Sequence, residues 1–106
     1  MAKYLFNASY SAEGLKGLYK DKASGRLATI TQMIESLGGK VECAYLALGE
    51  DDVVLIVDLP DNITASAVAL TVSATGLART RTTVLLTVEE TDKALSTSVS
   101  YRAPGT

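Results

Sequence analysis

The run Val53-Val54-Leu55-Ile56-Val57 constrains this chain more than any other stretch. It holds five apolar residues without a break, entered from the polar turn Gly49-Glu50-Asp51-Asp52 and closed by Leu59-Pro60-Asp61. β-Branched side chains fit a pleated surface, and an apolar run this short between turn residues is a strand rather than a buried helix. Because polar and apolar residues do not alternate, the strand is expected to be buried on both faces. One face can be covered by the chain's own helices. The other calls for a second subunit, so the expected partner is another copy of the chain.

The flanking segments supply the rest of the fold. Tyr4, Phe6, Ala8 and Tyr10 recur at period two against Leu5, Asn7 and Ser9, which predicts an opening strand with one partly polar face. Ser11 is placed to cap a short helical turn reaching Leu18, weakened by Gly14 and Gly17. After a polar break at 20–24, Ala23, Leu27, Ile30, Ile34 and Leu37 follow helical spacing up to the stop at Gly38-Gly39. A second strand is predicted over 40–48, with Val41, Cys43, Tyr45 and Ala47 on one face, and a tight turn then leads into the apolar run. Asp61 and Asn62 offer a side-chain oxygen to start a second helix with Ala65, Val68, Ala69 and Val72 on its buried stripe, closed by Gly76. Residues 80–88 make a fourth strand, 89–95 a helical turn, and 96–101 either loop or a short edge or exchanged strand.

Strand, helix, strand, strand, helix, strand is the split βαβ order of an α+β, ferredoxin-like βαββαβ fold, with a four-stranded antiparallel sheet and both helices on one side. Residues 1–106 are read as a single domain with its core at 3–88 and a C-terminal extension at 89–106 whose end is mobile. A chain of this length buries roughly two-thirds of its unfolded surface and needs no staples. Two such sheets packed face to face form a dimeric α/β barrel.

Composition narrows the function classes. Ten basic and twelve acidic residues give a net charge of −2 spread along the chain, which argues against nucleic acid and anionic membrane as partners. A lone Cys43 forms no internal disulfide, and Met1 leads directly into a strand pattern, so the expected location is cytoplasmic. Histidine is absent, which removes the usual general base near neutral pH and the commonest haem and zinc ligand; no cofactor or metal is expected. The carboxylates of Glu50, Asp51 and Asp52 read as a solvated hairpin turn, since one turn lacks the further oxygen ligands a hard cation requires.

Several ordered motifs carry a resemblance: Tyr10-Ser11-Ala12-Glu13-Gly14-Leu15-Lys16-Gly17, Arg26, Glu35 to Glu42, Tyr45, Leu48 to Val54, Leu59-Pro60-Asp61, Leu70, Gly76 and Arg79 to Thr82. Together they resemble the GYD domain family over roughly residues 3–88. The resemblance implies a homodimeric α/β barrel and brings no assigned reaction with it. Where the motif Gly-x-Tyr-Asp is expected, this chain has Gly49-Glu50-Asp51-Asp52, so a role for that tyrosine does not transfer.

Candidate binding residues are Tyr4, Asn7, Ser9, Tyr10 and Tyr45, on strands whose open faces are expected to line a barrel interior and take a small organic ligand. Cys43 has no base near it in sequence and reads as an inert thiol, while Arg26, Arg79 and Arg81 are the cations able to meet an anion. Two function classes follow. One is a non-catalytic, oligomeric small-ligand-binding or interaction module, favoured by the thin acid–base equipment. The alternative is a cofactor-independent oxygenase or isomerase acting on a small organic substrate in the barrel interior.

Overall fold

The computed structural model describes residues 1–106. The elements are β1 (Ala2–Tyr10), α1 (Ala12–Ser36), β2 (Lys40–Leu46), β3 (Val53–Leu59), α2 (Asn62–Ala74), β4 (Ala78–Leu85) and α3 (Val88–Leu95). The strands form one antiparallel sheet in the order β2-β3-β1-β4, the α+β, ferredoxin-like arrangement, with the opening strand and the apolar run at its centre.

The helices cover the face of β1 that is apolar throughout. Tyr4 and Phe6 are buried there beside Val53, Leu55, Val57 and Leu59 of β3, and Ile34 of α1 and Val68 of α2 close over them. Burying side chains of this size contributes about 1.5–3 kcal/mol each relative to exposure. The other face of β3, with Val54, Ile56 and Asp58, is only partly covered. Within one chain the apolar run is therefore buried on one side, not two. Its unbroken hydrophobicity follows from lying on a sheet with one helix-covered face and one open one.

Three local features depart from the expected pattern. α1 is a single long element bent at Lys22, whose φ of 63° and ψ of 166° interrupt the helix. The segment before the bend, capped by Ser11 through the Gly14 amide, runs past Leu18. β2 stops at Leu46 and carries a register shift between Val41 and Cys43. Val41 pairs with buried Val57, but Cys43 pairs with Ile56 on the open side, so these two residues do not share a face. An extra residue in one strand reverses the alternation beyond it.

The third difference is where the fourth strand ends: β4 stops at Leu85, so Thr87 and Val88, expected in that strand, instead cap and open α3, the helical turn expected over 89–95. α3 has a capping box, in which the Thr87 hydroxyl accepts from the Glu90 amide and the Glu90 carboxylate accepts from the Thr87 amide. That reciprocal pair is the Thr-x-x-Glu signature. The carboxyl of Glu90 is held below its usual range chiefly by the Thr87 backbone bond. α3 buries none of its residues. A radius of gyration of 16.9 Å, against about 13 Å for a compact chain of this length, reflects this projecting arm. No helix is long and apolar enough to cross a membrane.

Candidate functional site

The pairing registers place Tyr45, Val54, Asn7 and Arg81 in one row across β2, β3, β1 and β4, on the face the helices leave open. Residues directly opposite one another share a sheet face, so the row is a continuous strip of side chains. The adjoining row is Cys43, Ile56, Leu5 and Thr83, and beyond Asn7 lie Ser9 and its partner Arg79. Strand propensity and turn chemistry build these strands, but which side chains meet is set by register alone.

The two ends of this open face are polar. At one end, Ser9 Oγ lies 3.1 Å from both the Glu50 carbonyl oxygen and Asp51 Oδ1, so its single proton serves one of them. The Arg81 guanidinium donates to the other oxygen of Asp51. Ser9, Glu50, Asp51, Arg79 and Arg81 surround a polar hollow of about 220 Å³. Arg79 has no ion-pair partner, and the Asn7 side-chain amide, which solvent still reaches, makes no hydrogen bond within the chain, so both remain free to engage a ligand. At the other end, Lys3 Nζ donates to Asp58 at 2.9 Å and to Glu42 at 3.2 Å. These bonds, that to Asp58 first, hold the Lys3 ammonium above its usual value. Leu5, Val54 and Ile56 form an apolar middle between the ends.

The acidic turn is solvated only in part: Glu50 is exposed, whereas Asp51 and Asp52 are tied to neighbouring strands. Asp52 accepts the Tyr10 backbone amide at 2.8 Å through its side chain, and its own amide donates to the Ala8 carbonyl at 2.8 Å. Asp51 has only 15% of its side chain exposed. The turn residues are thus drawn onto the ends of β1 and β4, contacts that adjacent sequence cannot reveal. No group of three or more His, Cys, Asp or Glu side chains converges anywhere in the chain.

Of the expected binding residues, the structure brings Asn7, Ser9 and Tyr45 onto the open face and separates Tyr4 and Tyr10 from them. Tyr4 is 1% exposed on the helix side, where its hydroxyl donates to Asn62 Oδ1 at 2.6 Å. Burial, with a smaller effect of the Asp61 carboxylate, raises that hydroxyl above its usual pKa. Tyr10 is half-buried on the same side, with its ring against Gly14 of α1. Strand alternation forces this split, because Tyr4 and Tyr10 are an even number of residues apart and an odd number from Asn7 and Ser9. Cys43 is a free, half-buried thiol on the open face.

Arg81 joins this site through its place opposite Asn7, which only the β1–β4 register discloses. The arrangement can do two things chemically. Its apolar middle can be buried against a complementary surface, and its free amide and cation can orient a small molecule that carries acceptors.

Comparison with curated proteins and with solved structures finds no match to this chain. The family model of the GYD domain matches residues 4–95, from the opening strand to the end of α3. With most of its length inside that match, the chain belongs to the GYD domain family.

Proposed function

We propose that this GYD domain is a non-catalytic homodimeric binding module, in which two open sheet faces pack together and enclose a small organic ligand. The observation that carries the reading is the open face itself. A central strand fully buried on its helix side presents Val54 and Ile56, next to Leu5, on the other. Leaving such a patch in water forgoes burial worth roughly 25 cal/mol per Å², and a second copy offers the same patch in return. The polar ends supply the few directional contacts typical of a small-molecule site, with Asn7, Arg79 and Tyr45 facing the enclosed space. The projecting arm supports the same assembly. Val88, Leu95, Val99 and Tyr101 are each at least 75% exposed, a set of apolar side chains suited to wrapping a partner.

Native mass spectrometry of the purified protein tests the reading, because one spectrum reports subunit number and any retained small molecule. A dimer is expected, and Ile56→Lys should dissociate it, since an unpaired ammonium buried at the interface costs several kcal/mol. Asn7→Leu should preserve the dimer and weaken ligand retention. A wild-type protein that stays monomeric at tens of micromolar would remove the proposal.

A further inference from the structure

The helix side of the sheet is also grooved. α1 packs mainly on β2 and α2 mainly on β4, leaving a furrow between them above the centre of the sheet. Three adjoining cavities of about 150, 110 and 290 Å³ lie along it, and Tyr10 and Arg26 line all three. Leu18, Ile30, Leu55 and Val72 each wall two of them. Arg26 is half-buried among these apolar groups and has no ion-pair partner. The Tyr10 hydroxyl likewise makes no hydrogen bond within the chain, although the Tyr10 backbone amide is satisfied by Asp52.

A half-buried guanidinium with no anion beside it has only solvent as the partner of its five donors. A carboxylate can take the place of that solvent by accepting two parallel N–H bonds, the geometry for which arginine is best suited. The walls then determine what the carboxylate carries. An apolar cavity of about 150 Å³ is the size that admits a benzene ring.

From these observations we infer that the furrow between α1 and α2 binds a small monocarboxylate with a compact apolar body, its carboxylate on Arg26 and Tyr10 and its body in the 150 Å³ cavity against Leu18, Ile30 and Leu55. This site lies on the opposite face of the sheet from the proposed barrel interior, so it stands or falls independently of that reading.

The test is an amide-resolved NMR titration with phenylacetate and, as the uncharged isostere, phenylacetamide. Phenylacetate should give saturable shifts centred on Tyr10, Arg26, Ile30 and Leu55, with phenylacetamide weaker by about tenfold or more, the ratio expected for a charge-assisted bond. Arg26→Met should lose a similar factor and Arg26→Lys should retain part of the affinity. Ala44→Leu, which fills the 150 Å³ cavity from β2, should block the probe while leaving the spectrum well dispersed. Should Arg26→Met fail to fold, Arg26→Lys and Ala44→Leu decide the matter. Absence of saturable shifts, equal binding of the amide, undiminished binding to Ala44→Leu, or shifts confined to the Asn7–Arg81 row would each overturn the inference.

Discussion

Replacing Gly14 by alanine should destabilise this protein even though alanine is the better helix former. A Cβ at position 14 runs into the Leu77 carbonyl oxygen, with the Leu77 carbonyl carbon at 3.0 Å and the Tyr10 ring at 3.1 Å. Ordinary contact begins near 3.4 Å and the obstacle is backbone, so the start of α1 must retreat from the entry to β4. That movement breaks the bond from the Ser11 amide to the same Leu77 oxygen, now 2.9 Å long. The lost bond costs about 1 kcal/mol. Residual overpacking against backbone adds about 1–3 kcal/mol. Alanine's helix propensity returns up to about 1 kcal/mol, leaving a net loss of about 1–3 kcal/mol.

Gly17, three residues along the same helix, is the internal control. A Cβ there meets nothing within 4 Å, so Gly17→Ala should gain about 0.5–1 kcal/mol from propensity alone. Urea unfolding followed by circular dichroism measures both variants. If Gly14→Ala proves as stable as Gly17→Ala, the close approach of α1 to Leu77 is not a constraint and the reasoning is wrong.

Other substitutions test the remaining contacts. Asp52→Ala strands the Tyr10 amide and should lower stability by about 1–3 kcal/mol in urea unfolding, whereas a solvated turn would tolerate the change. Tyr4→Phe should cost about 1 kcal/mol in the same assay and leave binding of any open-face ligand unchanged, because the hydroxyl serves only Asn62. Asp61 caps α2, and the Thr64 backbone and hydroxyl bonds hold its carboxyl below the usual 3.8. A depressed folded-state pKa stabilises above the unfolded value and is lost as pH falls through the folded one. The Tm difference between wild type and Asp61→Ala should therefore be constant at pH values above 3.8 and shrink on acidification below it; a difference that persists in strong acid would contradict the assignment.

Much of this molecule can be read from residue order. Period two in Tyr4, Phe6, Ala8 and Tyr10 marks the opening strand and its two faces, but which face the helices cover is set by tertiary packing, which buries Tyr4 where an open face is expected. Asp61 announces the start of α2, because a cap joins residues only three apart; Thr87 and Glu90 have the same spacing, but the Thr-, Val- and Leu-rich stretch 80–88 reads Thr87 into the fourth strand. The open-face row is a different matter. Asn7 and Ser9 belong to one strand and their shared face follows from alternation. That Tyr45, Val54 and Arg81 align with Asn7 depends on registers set by the whole sheet, and on a bulge between Val41 and Cys43 that no composition signals. Asp51 and Asp52 look solvated in sequence because their partners Ser9, Tyr10 and Arg81 lie 30 to 42 residues away. Arg26 is one more helix arginine until α1 and α2 settle on different strands and leave it lining an apolar furrow. Local order carries what neighbours along the chain enforce through backbone geometry and capping. Partners distant in sequence are chosen only when packing selects one register among many, and that choice belongs to the tertiary structure.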